Sequence, residues 1–126
     1  MTTKRIVVDA PRAFKTAWFS KAAAKVGITD VELCAAFHDL VAGRGDDLGG
    51  GVYKRRLAEN RHRSIVVAKG GRVWVYAFLF AKQDRANIAS DELVAFKKLA
   101  ALYAKKTDAD IATELACNAI VEICND

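Results

Sequence analysis

Basic side chains that could bind a polyanion are concentrated in the middle of the chain. Between Lys54 and Arg85 there are nine basic residues and two acidic ones, a charge of +7, whereas the other residues carry 11 basic and 13 acidic side chains, a charge of −2. A basic patch on an otherwise nearly neutral domain is typical of a protein that binds a polyanion. The alternative is a solvated strand face whose Lys and Arg side chains serve solubility, and the charge pattern alone leaves both interpretations open.

Three cysteines and a histidine form the second group of residues that could do chemistry. Cys34 and His38 are four residues apart, so a helix would place both on one face, and Cys117 could join them in space as a metal ligand. No CxxC or HxxxH spacing accompanies them, and each cysteine, Cys124 included, stands among apolar residues, where cysteine is usually a small hydrophobic residue. The odd count and the spacing do not resemble a disulfide framework. We therefore expect core packing, with no metal.

Length and composition indicate one domain, residues 1–126. The chain is 52% apolar and 28% charged, a balance that excludes disorder, collagen-like repeats and coiled coil. Its longest apolar stretch, residues 73–81, is nine residues, about half of what a membrane-spanning helix requires. Residues 1–9 contain no apolar run long enough for a secretory signal. We therefore expect a cytoplasmic protein that does not bind a membrane.

The elements that must position the basic residues begin with a predicted strand and two helices. Residues 6–8, Ile-Val-Val, are typical of a short strand. Apolar residues at spacings of three and four over residues 14–26, followed by a glycine, predict an amphipathic helix. Thr29 and Glu32 have the spacing of a capping box, which predicts the start of a second helix.

The centre of the chain predicts a sheet. Residues 44–51 hold four glycines and two aspartates and predict a turn-rich loop. The β-branched and aromatic residues of 52–57, 64–68 and 72–80 predict three strands, with a tight glycine turn between the last two. The last strand is apolar on both faces, which favours a central position. Alternation assigns one face to Val73, Val75, Ala77 and Leu79, and the other to Trp74, Tyr76, Phe78 and Phe80.

Two further helices are predicted after the sheet. Ser90 is a good N-cap followed by acidic residues, and Thr107 is expected to cap a last helix running through Leu115, Ile120 and Ile123. The whole predicts an α+β fold, in which a small, mostly antiparallel sheet of about four strands has N-terminal helices packed on it and C-terminal helices after it.

Two sequence motifs connect this organisation to a known family. The first is DLGGGVYKRR, residues 47–56, and the second is FAKQDRANI, residues 80–88. In this order they resemble the DLGGG-x-YKxR and FAKxxRANI motifs of the RelE/ParE superfamily of bacterial toxins, which belong to type II toxin–antitoxin modules. The resemblance covers roughly residues 14–122 and implies a single RelE-like domain.

The resemblance implies an activity and its partners. RelE-like toxins are ribosome-dependent endoribonucleases that cut mRNA and are held inactive by a cognate antitoxin. The 2′-hydroxyl of the RNA attacks the adjacent phosphate, so the protein has to orient the substrate and stabilise the charge that develops. We therefore expect a metal-independent mRNA interferase without cofactor, whose partners are mRNA, the ribosome and an antitoxin.

The motifs also imply the residues of the site. Lys54 and Arg56 alternate on one strand and share a face, and Arg63 opens the neighbouring strand, so these three are expected to contact the scissile phosphate. His62 is a candidate general base or acid, or a replacement for an RNA-stacking aromatic residue. The same resemblance implies five candidate RNA-binding residues, which are Tyr53, Arg55, Arg61, Lys82 and Arg85.

The chain departs from the best-known RelE pattern at Gln83 and Ala89, where that pattern has an arginine and a tyrosine. Two other functions therefore stay open. One is a ParE-like toxin that acts on DNA gyrase, and the other is a non-catalytic nucleic-acid-binding domain, whose affinity would fall steeply with salt without strand cleavage.

Overall fold

A six-stranded sheet with two helices against each face organises the chain in the computed structural model, which describes residues 10–124. In chain order the elements are β1 (Arg12–Thr16), α1 (Ala17–Lys25), α2 (Asp30–Val41), β2 (Asp46–Gly49), β3 (Val52–Leu57), β4 (His62–Lys69), β5 (Val73–Ala81), α3 (Ser90–Ala104), α4 (Asp108–Ala116) and β6 (Ile120–Ile123). The strand order is β2-β3-β4-β5-β1-β6, and only β1 and β5 pair in parallel within this range. The α+β class is as predicted.

Two apolar cores lie on opposite faces of the sheet. On one face, α1 and α2 bury Phe19, Leu33 and Phe37 against the sheet. On the other, α3 and α4 bury Tyr103 and Ile111 against it. No helix of residues 10–124 is both long enough and apolar enough to cross a membrane.

The predicted strand count of about four is wrong, because six strands are present in the described residues. The three central strands are confirmed as β3, β4 and β5, with ends that shift by one or two residues. The predicted strand at residues 6–8 lies outside the described part of the chain. The strands β1, β2 and β6 were not expected, and each of them is only four or five residues long.

The strand β1 occupies the start of the segment predicted as one helix from residue 14. Phe14 is fully buried in the core on the α3 side, and its strand pairs with β5 on one side and β6 on the other. The helix begins only after Thr16, whose Oγ1 accepts a hydrogen bond from Phe19 N at 3.0 Å. Tertiary pairing therefore overrides a spacing that placed Phe14 in the helical stripe.

The end of the last predicted helix is also a strand. Thr107 caps α4 as expected, together with Asp110, but the helix stops at Ala116. Ile120–Ile123 then pairs with β1, and Ile120 and Ile123 enter cores on opposite faces of the sheet. Their three-residue spacing fits one face of a helix, but on a strand an odd spacing places them on opposite faces.

A β-bulge in β5 divides its predicted faces. Ile65 pairs with Phe78 and Val66 with Tyr76, so Ala77 is an extra residue on β5. After Ala77, residues at odd and even positions face the opposite sides of the sheet from those before it. Leu79 joins Trp74 and Tyr76 in the core under α1 and α2, whereas Phe80 joins Val73 and Val75 on the other face. Two apolar faces and a central position are confirmed, but the assignment of the residues after Ala77 is wrong.

The glycine-rich segment is a tight hairpin rather than a loop. Asp46–Gly49 forms the edge strand β2, and Gly50 and Gly51 connect it to β3 with φ of 62° and 82°. Positive φ at both central residues is what a type I′ hairpin turn requires. Gly70 and Gly71 have the same property between β4 and β5, with φ of 56° and 73°, as the predicted tight turn requires.

Two predicted helix starts differ in detail. Thr29 Oγ1 accepts from Glu32 N at 3.3 Å, but the Glu32 carboxylate accepts a hydrogen bond from Ala58 N on the neighbouring hairpin. At α3 the N-cap is Ala89, not Ser90, and Glu92 accepts from Ala89 N at 2.7 Å. Each glutamate therefore also binds a residue outside its helix: Glu32 binds Ala58 N, and Glu92 binds Arg85.

Cys34 and Cys124 form a disulfide between α2 and the residue after β6, with their Cα atoms 5.5 Å apart. The expectation that all three cysteines act as small hydrophobic residues is therefore wrong for this pair. The sequence separation of 90 residues gave no local signal for it. Cys117, the third cysteine, is free and exposed, so the expected core packing is wrong for it as well.

Candidate phosphate-binding site

Lys54, Arg56 and Arg63 share one face of the sheet. Arg56 and Arg63 are directly opposite each other across β3 and β4, and Lys54 is opposite Ile65. Ile65 is buried in the core on the α3 side, so this is the face to which the three basic residues belong. Period-two geometry therefore places the three residues together as expected, at the end of the sheet where the β3–β4 hairpin turns.

Two polar residues that the sequence analysis did not single out hold Lys54. Its ammonium donates to Asn87 Oδ1 at 3.4 Å and lies 3.8 Å from Asp46 Oδ2. Asn87 Oδ1 also accepts from Ile88 N at 2.9 Å, which fixes the amide. The Lys54 side chain is 17% exposed. Asn87 lies in the FAKQDRANI motif, so the motif was the signal that could have identified it.

Arg63 is largely buried and supports the turn beside it. Its residue is 8% exposed, and Nη1 donates to Asn60 O at 3.0 Å and to His62 O at 3.2 Å. The turn needs such support because Ala58, Glu59 and Asn60 all have positive φ, between 53° and 72°. Left-handed backbone is unfavourable for residues other than glycine. Arg63 therefore stabilises the turn between β3 and β4 and also places a positive charge beside Arg56.

Arg56 is the exposed member of the group. Its side chain faces solvent, and within residues 10–124 no hydrogen bond or ion pair holds its guanidinium. An arginine can donate two parallel hydrogen bonds to a phosphate. Arg56 therefore has free donors beside Lys54, which is held by Asn87, and beside Arg63, which is buried on the neighbouring strand.

His62 lies on the opposite face from these three residues. It alternates with Arg63 on β4 and pairs with Leu57, which is in the core under α1 and α2. His62 lines an open pocket of about 730 Å³ with Val26, Arg61 and Lys82, among others. The structure thus gathers His62 with two of the candidate RNA-binding residues, around the rim of the same hairpin.

Arg85 lies in the segment between β5 and α3 and contacts the first turn of that helix. It forms an ion pair with Glu92, and Nε donates to Asn87 O at 3.0 Å. Its guanidinium carbon lies 5.5 Å from the centre of the Phe80 ring. The Arg85 guanidinium and the Ala89 N–H hold the pKa of Glu92 below its usual range, and the carboxylate raises the pKa of Arg85. Arg85 thereby braces the segment that carries Asn87.

Tyr53 and Arg55 face α2 and not the basic group. The Tyr53 ring packs 5.0 Å from the Trp74 ring, and Arg55 forms an ion pair with Asp39. Hydrogen bonds from Arg55 and Arg44 lower the pKa of Asp39. These two residues therefore connect β3 to the layer of α1 and α2.

The arrangement is suited to stabilising an anion and not to holding one in a closed cavity. One exposed arginine, one partly exposed lysine and one buried arginine lie along two paired strands. Lys54 and Arg63 are held by their partners before an anion binds, and preorganised cations stabilise negative charge that develops on phosphate oxygens.

Comparison with known proteins gives one result. A family model described as the RelE toxin of the RelE / RelB toxin-antitoxin system matches residues 11–123, which include every strand and helix described above. No curated protein and no solved structure matches the chain.

Proposed function

The chain belongs to the RelE toxin family, and from this premise we propose that it is an mRNA interferase, a metal-independent endoribonuclease that cuts mRNA on the ribosome. Membership supports a toxin role and implies a cognate antitoxin as partner. The observation that carries the catalytic part of the proposal is Arg56, an exposed guanidinium beside Lys54 and Arg63 on one face.

In the proposed reaction the RNA supplies its own nucleophile. The 2′-oxygen forms a bond to the adjacent phosphorus while the bond from phosphorus to the 5′-oxygen breaks. The 2′-hydroxyl releases its proton to solvent, and the departing 5′-oxygen takes up a proton from solvent. Arg56 donates hydrogen bonds to the phosphate oxygens, and Lys54 adds a second positive charge held by Asn87. Arg63 holds the hairpin that presents Arg56.

Cleavage in cells tests the proposal directly. The protein is expressed from an inducible promoter in a bacterial host, and mRNA 5′ ends are mapped during growth arrest. We expect new ends inside translated codons. Arrest without new ends would instead favour action on DNA gyrase, and no arrest would favour a non-catalytic nucleic-acid-binding domain. Either result would contradict the interferase proposal.

Single substitutions test the assigned residues. We expect Arg56→Ala and Lys54→Ala each to lower the cleavage rate by about 10²-fold or more, because each removes a charge that stabilises the transition state. Lys21→Ala is the matched control, since Lys21 is exposed on α1 at the other face of the sheet. Cleavage by purified variants on translating ribosomes provides the measurement, and unchanged cleavage by both site variants would contradict the assignment.

The role of His62 has its own test. His62 lines the same pocket as Arg61 and Lys82. If it only contacts the RNA, His62→Gln should lower the RNA affinity and the cleavage rate by similar factors, and this is the result we expect. A general base would instead show a rate loss much larger than the affinity loss. RNA affinity and single-turnover cleavage, measured on the same preparation, separate the two outcomes.

A further inference from the structure

Cys34, His38 and Cys124 form a cluster away from the candidate phosphate-binding site. Their sulfur and imidazole nitrogen atoms all lie within 4.8 Å of one another. α2 places Cys34 and His38 one turn apart on one face, and Cys124 directly follows β6. Cys34 Sγ is 3.7 Å from His38 Nε2, and the two cysteines are joined as a disulfide. The cluster therefore joins two distant parts of the chain.

The spacing of these atoms fits a metal ion. Tetrahedral zinc has Zn–S bonds of about 2.3 Å and Zn–N bonds of about 2.0–2.1 Å, which places neighbouring sulfur and nitrogen ligands about 3.6 Å apart. The 3.7 Å between Cys34 Sγ and His38 Nε2 is close to this value. The backbone at Cys34 and Cys124 is already close, with Cα atoms 5.5 Å apart, so side-chain rotation can adjust the two sulfur atoms after reduction.

We propose that, once the Cys34–Cys124 disulfide is reduced, Cys34, His38 and Cys124 bind a Zn²⁺ ion. Two thiolates and an imidazole favour zinc over magnesium or calcium, which prefer oxygen ligands. The exposed position of His38 leaves the fourth coordination position open to water. This site is independent of the proposed ribonuclease activity, because none of its residues lies on the face of Lys54, Arg56 and Arg63.

The step from disulfide to metal site is balanced as follows. A dithiol reductant supplies two electrons and two protons, the Cys34–Cys124 S–S bond breaks, and the reductant becomes a cyclic disulfide. Zn²⁺ then displaces the two thiol protons and forms bonds to both sulfur atoms and to the neutral imidazole. Compartments that keep thiols reduced favour the dithiol form in which this site exists.

The test uses the full chain carrying Cys117→Ser, which removes the free cysteine and leaves the cluster intact. The protein is reduced with a dithiol, freed of it by gel filtration under nitrogen, and titrated with Co²⁺. We expect one equivalent to bind, with the intense d–d bands of a tetrahedral ion and a sulfur-to-cobalt charge-transfer band. One equivalent of Zn²⁺ should abolish both, and the unreduced protein should show neither.

Ligand variants in the same background decide the assignment. Cys34→Ser should weaken the charge-transfer band, because only the Cys124 thiolate remains, and His38→Gln should lower the affinity for Co²⁺ at least about tenfold, because a ligand is missing. His38 is exposed, so His38→Gln gives an interpretable result even if Cys34→Ser does not fold. Absence of stoichiometric binding after reduction, equal binding before and after it, or an unchanged affinity in His38→Gln would each overturn the proposal.

Discussion

Arg56 and Arg63 are directly opposite each other on two strands but have different surroundings. Arg56 is exposed without a partner in residues 10–124, whereas Arg63 is buried and donates to two backbone carbonyls of the turn. Under the proposed assignment, removing Arg56 removes a donor to the phosphate, whereas removing Arg63 removes support for left-handed backbone. Thermal unfolding measured beside cleavage distinguishes the two causes of lost activity.

Glu92 is the residue that ties α3 to the segment after β5. Its carboxylate accepts hydrogen bonds from Arg85 and from Ala89 N, and these lower its pKa in the folded state. A carboxyl with a depressed folded pKa stabilises the protein above its unfolded pKa of about 4.3, and this contribution is lost as the pH falls through the folded value.

We therefore expect Glu92→Gln to lower the free energy of unfolding most at pH values above about 5, with the difference from the unsubstituted chain shrinking toward about pH 3. Urea unfolding over this pH range provides the measurement. Glu59→Gln is the control, because Glu59 is exposed at the turn, with its carboxylate 3.9 Å from Arg61. A Glu92→Gln difference that does not change with pH would contradict the assigned ion pair.

The hairpin turns are the elements in which glycine matters. Gly51 ends the turn between β2 and β3 with φ of 82°, and a Cβ added there would lie 2.9 Å from Ala68 O and 3.2 Å from Ala100 Cβ. Gly70 has φ of 56°, but an added Cβ would have nothing within 4 Å. Both glycines need a positive φ, but only at Gly51 would an added Cβ come too close to neighbouring atoms.

Alanine at these two positions should separate conformation from packing. We expect Gly70→Ala to cost about 1–2 kcal/mol, the penalty of left-handed backbone, and Gly51→Ala to cost clearly more because backbone and α3 must also move. Free energies of unfolding from urea denaturation test this order. Equal costs would mean that α3 does not pack closely over the start of β3.

At the scale of the whole molecule, the C-terminal strand completes both cores. β6 pairs with β1, which itself pairs with β5, so the first and last strands of the described residues lie side by side at one edge of the sheet. Ile120 and Ile123 are 1% and 2% exposed and enter different cores. The sheet therefore separates two side chains that are near neighbours in sequence.

This separation predicts additive effects. Ile120→Val and Ile123→Val should each cost about 0.5–1.5 kcal/mol, and the double variant should equal their sum within about 0.5 kcal/mol. Residues on one face of a helix would share neighbours and couple more strongly. Chemical denaturation of the four proteins gives the coupling energy, and Val121→Ala, at a position that is 39% exposed and outside both cores, should have a small effect.

Features that depend on local pattern can be predicted from the amino-acid sequence. Lys54 and Arg56 share a face because alternate residues on a strand always do, and the glycine pair between β4 and β5 turns because glycine adopts positive φ without penalty. Strands β3, β4 and β5 are long enough for their β-branched and aromatic composition to be recognised. The RelE motifs predicted membership of the RelE family, and the family-model match confirmed that prediction.

Features that depend on partners distant in sequence follow only from the folded structure. Phe14 lies in a strand because β5 and β6 flank it, and the faces of β5 reverse because a bulge at Ala77 shifts its register against β4. Cys34 meets Cys124, and Lys54 meets Asn87, across 90 and 33 residues. Such contacts arise when whole elements pack, and packing free energy exceeds the small local propensities that a sequence pattern records.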